Sequence, residues 1–452
     1  MLALRAKQHK HACALILDAF NWDNKERAAA SLGEDMTEDV TRARAPTAKE
    51  EFARGWPVVV SATVGFGLGL SALSFYTNGT FVEPLGKEFG WSVGQVQTAI
   101  AFMPLGTVLM APVIGWMTDK FGSRPIALIS LVLYAISFAM LSQITSNIVS
   151  FYATWAVMSV VGAGTLAITW SRAVNGWFNK GRGMALGLAL MGSGLTGFIA
   201  PPLSNWAIDA YGWRTAYLVL AALPAIIALP VVFTLFKDPP IANLAAPGSL
   251  QIPGLTLGEA VKTGRFWLMW FAIVLVSVGV GGLISNMFPI LMSDGLDRPT
   301  AAMAAGMIGL SVIVGRIVAG FLLDRVWAPL VALVFLSIPA ISCIILAAGT
   351  SPVWMLILAA ALVGLAAGAE FDLIAFMISR YFGMKSYAQL YSVQFIGFGL
   401  ASGLAAPLFG GVYDRFNSYD PILYAAAVMF VLGAVMFLGL GKYPKEYAVD
   451  AH

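Results

Sequence analysis

Four ionisable side chains fall inside long apolar stretches of this chain: Arg172, Arg316, Glu370 and Asp372. An ionisable group in hydrocarbon is costly unless it is paired or hydrated, so each residue is a candidate for function. A guanidinium group can bind a carboxylate through two parallel hydrogen bonds, and a buried carboxyl group can take up and release a proton. The three histidines lie near the termini, so proton coupling would use a carboxyl group or the substrate itself.

A second set of polar residues repeats at a fixed distance of 205 positions, since the loop GWMTDKFGSR recurs as GFLLDRV. The motif residues are Gly115, Asp119, Lys120 and Arg124 in the first copy and Gly320, Asp324 and Arg325 in the second. The same shift relates Pro84 to Pro289 and Gly194 to Gly399. A shared shift predicts two similar halves, and in an apolar chain parallel halves predict a membrane transporter.

Composition predicts helices that position these residues in a membrane. Hydrophobic residues make up 59% of the chain and charged residues 11%, and the mean hydropathy is +0.79. A soluble domain has about a quarter of its residues charged, so we predict an integral, all-α membrane protein. We predict twelve transmembrane helices, at 56–82, 95–118, 125–143, 149–176, 183–207, 215–236, 266–292, 299–323, 328–348, 353–378, 387–412 and 420–441.

Charges between the helices predict the topology. With both termini in the cytoplasm, the inner loops carry most of the Lys and Arg residues, as the positive-inside rule requires. The inner set is Lys120, Arg124, Lys180, Arg182, Lys237, Lys262, Arg265, Arg325, Arg380 and Lys385, and the outer set is Lys87, Arg214, Arg298 and Arg415.

The same pattern predicts five segments of the chain. They are a disordered cytoplasmic segment (1–54), an N-terminal six-helix bundle (55–236), a cytoplasmic linker (237–264), a C-terminal six-helix bundle (265–441) and a cytoplasmic tail (442–452). Within the linker, TLGEAVKTGRFW is expected to form a short surface helix. Met1 and Met36 are both candidate start positions, because Met36 begins a sequence typical of a short leader.

The repeated halves and the GxxxDKxGxR motif resemble the major facilitator superfamily. The resemblance implies a fold of two six-helix parallel repeats and a motif that stabilises the outward-facing state. In this motif Asp119 can face the positive end of a helix, while Lys120 and Arg124 can bind carboxylates or lipid phosphate. The stretches FVEPLGKEFGWS, YGWRTAY and GAEFDLIAFMISRYFG resemble the monocarboxylate porter and oxalate/formate antiporter branch.

Arg316 lies in the eighth helix, eight residues before Asp324 (324 − 316), and therefore about 12 Å along the helix from that loop. The resemblance to monocarboxylate porters implies that an arginine at this place binds the substrate carboxylate. A structural ion pair is the competing interpretation. In some relatives an acidic residue lies four positions earlier, where this chain has Val312.

Arg172 is predicted to pair with Glu370 or Asp372 across the two halves and to close the inner gate. The alternatives are a second anion site and contact with lipid headgroups. Glu370 and Asp372 are two positions apart, so we expect one to face the pathway and the other a neighbouring helix. Glu370 is the first choice for a proton carrier, and a permanent ion pair is the alternative.

Other polar residues on the expected cavity-lining helices are candidates for substrate contact. Tyr76, Asn78 and Asn286 can form hydrogen bonds with a substrate, and hydrogen bonding between helices is the alternative. Trp170 is a candidate for apolar cavity surface. Glycines 183, 187, 192, 194 and 197 predict close helix packing rather than a phosphate loop.

These observations predict a secondary transporter of small organic carboxylates, most simply a proton symporter, in a bacterial inner membrane. The alternatives are exchange of dicarboxylates and monocarboxylates, with both Arg172 and Arg316 on the anion, and drug/proton efflux. We expect a monomer in the lipid bilayer that binds a small organic anion and protons. We expect no enzymatic activity, cofactor, metal ion or nucleic-acid partner.

Overall fold

The computed structural model describes residues 46–240, 252–349 and 352–444. These ranges are helical apart from short connections and an isolated bridge between Gly254 and Gly383. The predicted N-terminal segment up to residue 45, including both candidate start positions, lies outside the described residues. So do residues 241–251 of the linker and 445–452 of the tail.

The structure describes eleven apolar segments long enough to cross a membrane, and one of them contains two helices. Arg182–Leu235 has 54 residues, which would make a straight helix of about 80 Å against the roughly 30 Å of a bilayer core. Its backbone leaves the helical conformation at Gly212, where φ is 80° and ψ is 162°. The segment therefore forms α5 (182–211) and α6 (213–235), and the prediction of twelve helices is confirmed.

The four helices before α5 are α1 (Ala48–Phe89), α2 (Gly94–Phe121), α3 (Ser123–Gln143) and α4 (Ile148–Trp177). The last six are α7 (Gly264–Ser293), α8 (Arg298–Leu323), α9 (Ala328–Ala347), α10 (Val353–Tyr381), α11 (Tyr387–Phe416) and α12 (Asp420–Leu438). Large apolar side chains such as Leu109, Ile226 and Leu432 are exposed on their outer surfaces, where hydrocarbon is the expected solvent.

The N-terminal boundary differs from the prediction, because α1 begins at Ala48 rather than after residue 54. The buried Glu51 carboxylate orders this region by accepting hydrogen bonds from the N–H groups of Asn179, Lys180 and Gly181, at 3.1, 3.1 and 2.9 Å. The first turn of α1 is thereby held against the connection between α4 and α5. Residues 48–54 are therefore helical, and the predicted disorder is wrong for them.

The short surface helix predicted in the linker is confirmed at Leu257–Ala260. Thr256 and Glu259 form a capping box at its start, in which each side chain bonds the main-chain N–H of the other residue. Such a box satisfies two N–H groups that a helix leaves unpaired at its N-terminus. It allows a helix of one turn to form directly before α7.

The glycines of α5 bring it into main-chain contact with α8. A Cβ atom at Gly187 would lie 2.5 Å from the carbonyl oxygen of Arg316, and one at Gly194 would lie 2.3 Å from the Ile313 side chain. Both distances are too short for a methyl group, so these positions require glycine. The prediction of close helix packing is confirmed, and the packing joins the first six helices to the last six.

Candidate functional site

The first copy of the repeated motif brings α2 against the start of α11. The Asp119 carboxylate accepts hydrogen bonds from the N–H groups of Ala388 and Gln389, at 3.2 and 3.0 Å. These groups belong to the first turn of α11, where the helix dipole favours a negative charge. A Cβ atom at Gly115 would lie 2.7 Å from the Ala388 carbonyl oxygen, so a glycine is needed for this approach.

Asp324 repeats the arrangement between α8 and α5. Its carboxylate accepts hydrogen bonds from the N–H groups of Gly183 and Met184, at 2.6 and 2.9 Å. The 205-residue shift turns positions 183 and 184 into 388 and 389, which are the partners of Asp119 (183 + 205, 184 + 205). The internal repeat therefore gives two matching contacts, each joining one bundle to the other. We call the end of the molecule that contains Asp119 and Asp324 the motif end.

Arg172 pairs with Asp119 rather than with an acidic residue of α10. Its Nε atom lies 2.9 Å from Asp119 Oδ1, and both side chains are buried. The predicted pairing with Glu370 or Asp372 is therefore wrong. Arg172 lies five residues before the end of α4 (177 − 172), whereas Asp372 lies nine before the end of α10 (381 − 372). At 1.5 Å per residue, Arg172 is about 6 Å nearer the motif end.

Two further arginines, predicted from the sequence only as inner-loop charges, also join the bundles at the motif end. Arg380 donates hydrogen bonds to the side-chain and main-chain oxygens of Asn179, at 3.0 and 2.8 Å. Arg182 donates to the Ser379 hydroxyl at 3.0 Å. Their only sequence signal is a basic residue at a helix end, which the positive-inside rule already explains.

The basic residues of the motif contact aromatic rings and carbonyl groups. Lys120 Nζ lies 4.7 Å from the Trp116 ring centroid, and Arg325 donates to the Phe321 carbonyl oxygen at 3.0 Å. The Arg124 guanidinium donates to a carbonyl oxygen of α6, at 2.7 Å. Its predicted contact with a carboxylate is made instead by its main-chain N–H, which donates to Asp238 at 3.2 Å.

Arg316 lies at the centre of a buried polar cluster between α5, α8 and α10. Its Nη1 atom lies 3.1 Å from Asp372 Oδ1, and the two side chains are 3% and 0% exposed. Its Nη2 atom lies 3.5 Å from the Ser193 hydroxyl of α5, at the limit of a hydrogen bond. The ion pair belongs to the second bundle and the serine to the first, so the guanidinium lies at the boundary between them.

Three atoms around this ion pair have hydrogen-bonding capacity that the described residues do not use. They are Arg316 Nε, Asp372 Oδ2 and the hydroxyl of Tyr391 in α11. Tyr391 is close enough to interact electrostatically with both charged groups. Buried polar atoms without a partner are rare, and each costs about 1–3 kcal/mol. A donor, an acceptor and a hydroxyl that can do either therefore offer binding positions for water or a polar ligand.

Tyr391 is not among the site residues that the sequence predicts. A tyrosine near the end of a predicted membrane span usually marks the membrane interface, and Tyr391 is the fifth residue of α11. Its electrostatic interaction with Arg316 depends on how α11 lies between its neighbours.

Glu370 and Asp372 contact different neighbours of α10. The Glu370 carboxylate accepts a hydrogen bond from the hydroxyl of Ser277 in α7 and is buried. Asp372 instead faces α8 and Arg316. Residues two positions apart lie about 200° apart around a helix, so the two acids cannot share one surface. The acid beside the arginine is Asp372.

Two predicted substrate contacts lie in different surroundings. Tyr76 in α1 is half-buried and near enough to Arg316 for their charges to interact. A Cβ atom at Gly197 of α5 would lie 3.0 Å from its ring, so Tyr76 packs against α5 within the first bundle. Asn78 donates to Gln97 of α2 at 3.2 Å, which is a hydrogen bond between helices, and its Oδ1 atom has no partner among the described residues.

Asn286 and Trp170 are both engaged within their own bundles. The Asn286 amide donates to the Gly282 carbonyl oxygen of its own helix at 2.9 Å. Trp170 is fully buried, and its Nε1 donates to the Thr165 carbonyl oxygen at 2.9 Å. Its ring fills space beside Gly65 of α1, where a Cβ atom would lie 2.2 Å away. The expectation that Trp170 forms cavity surface is therefore wrong.

At the opposite end of the molecule, two stretches that carry the family resemblance meet. Glu88 from FVEPLGKEFGWS accepts hydrogen bonds from Trp213 and Arg214 of YGWRTAY, both at 2.5 Å. This contact ties the end of α1 to the start of α6.

Within residues 46–240, 252–349 and 352–444, the His, Cys, Asp and Glu side chains form no group of three able to hold a metal ion.

Comparisons with known proteins agree with this architecture. Residues 64–353 match the sequence model of the family described as the Major Facilitator Superfamily. Monocarboxylate transporter 13 of Bos taurus is 26% identical over 404 residues, covering 86% of this chain and 90% of that protein. Monocarboxylate transporter 11 of Homo sapiens is 26% identical over 410 residues, covering 86% and 83%.

Solved structures give the same fold. A variant of the Escherichia coli fucose:proton symporter FucP has a TM-score of 0.67 at 16% identity and covers 85% of this chain and 98% of its own. The proton:xylose symporter XylE has a TM-score of 0.65 at 14% identity, covering 85% and 95%. The family match spans well over half of the sequence. The chain belongs to the Major Facilitator Superfamily.

Proposed function

We propose that this protein is a secondary active transporter that carries small organic monocarboxylates, each with a proton, across a bacterial inner membrane. The main support is the buried pair of Arg316 and Asp372, which lies at the boundary between the bundles with an unpaired donor and an unpaired acceptor. Relatives named monocarboxylate transporters support the substrate class.

Charge balance in the buried cluster supports proton coupling. Arg316 and Asp372 together carry no net charge, and a monocarboxylate bound there adds one negative charge. An uncompensated charge in such a site is costly. Protonation of Asp372 from solution restores neutrality and frees the Arg316 Nη1 atom for the substrate. When the substrate leaves, Asp372 loses its proton and the ion pair forms again.

The assignment of the proton to Asp372 differs from the first choice made on the sequence, which was Glu370. Asp372 contacts the guanidinium that would hold the substrate, whereas Glu370 contacts Ser277 of α7. A substrate carboxylate on Arg316 competes directly with Asp372 for the same donors. We therefore assign proton coupling to Asp372.

We place the motif end in the cytoplasm because most of the loop Lys and Arg residues lie on that side. The contacts of Asp119, Asp324 and Arg380 then close the inner side, and the substrate enters from the outside. Opening to the inside requires these contacts to break as the bundles rock around the central site. Arg172 acts at this inner gate through Asp119, which argues against its use as a second site for a dicarboxylate.

Uptake into proteoliposomes tests this proposal. An inward proton gradient should drive accumulation of a labelled monocarboxylate, and a protonophore should abolish it. Arg316→Gln should lower the uptake about tenfold or more, because a hydrogen bond to a charged group contributes about 1.5–3 kcal/mol. Arg415→Gln is the matched control, since Arg415 is an exposed arginine of α11. Unchanged uptake in Arg316→Gln, or uptake indifferent to the proton gradient, would contradict the proposal.

A further inference from the structure

We infer that the substrate is an aromatic monocarboxylate whose ring lies one or two bonds from the carboxylate, an inference that rests on the proposed function. Its basis is a cluster of phenylalanine rings beside Arg316, formed by Phe371 of α10 with Phe395 and Phe398 of α11. The Phe371 ring centroid lies 5.7 Å from the Arg316 Cζ atom. The binding cation and an aromatic surface are therefore adjacent.

The three rings pack against one another but are buried unequally. The Phe371 centroid lies 4.7 Å from that of Phe398 and 5.5 Å from that of Phe395. Phe395 is 5% exposed, whereas Phe371 and Phe398 are only half-buried. The cluster thus has an interior member and two members with uncovered surface. Because Phe371 is the ring next to the buried guanidinium, this surface begins at the substrate-binding position.

The spacing suits a short arylcarboxylate. A carboxylate hydrogen-bonded to a guanidinium places its carbon about 4 Å from Cζ, given N–H···O distances of about 2.8 Å. A ring attached one or two bonds further on can then reach Phe371 at about 4.5–7 Å, the range in which aromatic pairs attract. Tyr76 of the first bundle is half-buried and lies within electrostatic range of Arg316.

Other acids fit these surroundings less well. A short aliphatic acid would leave the uncovered parts of Phe371 and Phe398 without an apolar partner. A dicarboxylate would bring a second charge against the rings, where a charge without a partner is penalised. The arginine of α4 is occupied, because Arg172 is paired with Asp119 at 2.9 Å.

Packing alone predicts a different pattern of effects. If the cluster only joined α10 to α11, ligand preference would not depend on any of its rings, and the buried Phe395 would contribute most to stability. If Phe371 binds substrate, its replacement changes ligand preference and the replacement of Phe395 does not. Phe371→Leu and Phe395→Leu are therefore a matched pair of variants.

Binding to the purified full-length protein tests the inference, with phenylacetate, cyclohexylacetate, propionate and succinate as probes in calorimetric titrations. Phenylacetate should bind about tenfold or more tightly than propionate, and about two- to tenfold more tightly than cyclohexylacetate. Phe371→Leu should lower the ratio of phenylacetate to propionate affinity by about threefold or more. Phe395→Leu should leave this ratio unchanged while lowering the melting temperature.

The ligand series separates this inference from the proposed function. Propionate binding as tight as phenylacetate binding, lost in Arg316→Gln, would overturn the aromatic preference and leave carboxylate transport standing. Failure of all four acids to bind, or binding that Arg316→Gln leaves intact, would overturn both. If Phe371→Leu does not fold, Phe398→Leu takes its place, and the comparison of phenylacetate with cyclohexylacetate needs no variant.

Discussion

The ion pair between Arg316 and Asp372 joins α8 to α10. In some relatives the acid that pairs with this arginine lies four positions earlier on the same helix, where this chain has Val312. In the structure the acid comes from α10, 3.1 Å from the guanidinium. Removing one member of a buried pair leaves the other charge uncompensated, at a cost of about 3–5 kcal/mol. The two residues should nevertheless respond differently to mutation, because a bound substrate carboxylate can neutralise Arg316 in place of Asp372.

Asp372→Asn should bind monocarboxylates more tightly than the unaltered protein and without dependence on pH. The substrate anion then neutralises Arg316, and no proton is needed to vacate the binding position. The same variant should melt at a lower temperature when empty and recover when a monocarboxylate is added. Titration calorimetry and thermal unfolding between pH 5.5 and 8 measure these effects.

Glu370→Gln is the control for this prediction, because Glu370 is also buried but faces Ser277. It should keep the pH dependence of substrate binding. If Glu370→Gln removes that dependence and Asp372→Asn preserves it, the proton carrier is Glu370, as the sequence first indicated.

The sequence predicts these candidates but not their partners. Arg172, Arg316, Glu370 and Asp372 can be identified because charges inside apolar helices are scarce. Which charges meet depends on the depth and rotation of each helix, and a difference of about 6 Å in depth is enough to pair Arg172 with Asp119. The prediction for Trp170 is wrong for the same reason, because the sequence pattern of a helix does not show which of its surfaces packs against a glycine of another helix.

At the scale of elements, α5 and α8 form a contact made by the main chain. Gly187→Ala should lower the melting temperature and the transport rate, because its Cβ atom would lie 2.5 Å from the Arg316 carbonyl oxygen. Forcing an extra methyl group into a packed site costs about 1–3 kcal/mol. Gly309→Ala is the control, since a Cβ atom on this α8 glycine meets nothing within 4 Å. Equal melting temperatures for the two variants would contradict the prediction.

The contact between Asp324 and α5 should respond to pH. Burial raises the pKa of Asp324 to about 6, against the opposing effect of the Met184 and Gly183 N–H groups and of Arg380 and Arg182. In an open state the carboxyl group is hydrated and its pKa falls toward about 4. A proton therefore binds more strongly to the state that is closed at the motif end. The fraction of molecules in that state should increase as the pH falls through 6.

Distances between spin labels on the motif-end loops, measured from pH 7.5 to 5, test this response. Labels on either side of the contact should move closer together at low pH. Asp324→Asn should remove that part of the change, because the amide does not titrate. A pH response of the same size in Asp324→Asn would assign it to another group.

At the scale of the whole molecule, the sequence predicts the architecture well. Twelve apolar stretches and a shift of 205 residues give the two bundles, and the shift also relates the helix starts that Asp119 and Asp324 contact. The contacts of Arg380 and Arg182 lie outside this symmetry. They could not be predicted, because they depend on how the two bundles meet rather than on what the bundles share.

Transport by the whole molecule should be electroneutral. The proposed symport moves one anion with one proton, so a membrane potential imposed with potassium and valinomycin should leave the initial uptake rate unchanged at fixed pH. A proton gradient of one pH unit should change substrate accumulation about tenfold, by mass action. Uptake that rises with an inside-positive potential would instead indicate movement of the anion alone.

If the two bundles rock as proposed, the glycine contact between α5 and α8 provides a point about which they can turn. Gly187 lies against the carbonyl oxygen of Arg316 itself, and no side chain intervenes. When two rigid bodies turn about a point of contact, displacement grows with distance from that point. The guanidinium, on the same residue as this contact, would then be displaced little, and the helix ends would be displaced most. The substrate can then stay nearly still while the barrier moves from one side of it to the other.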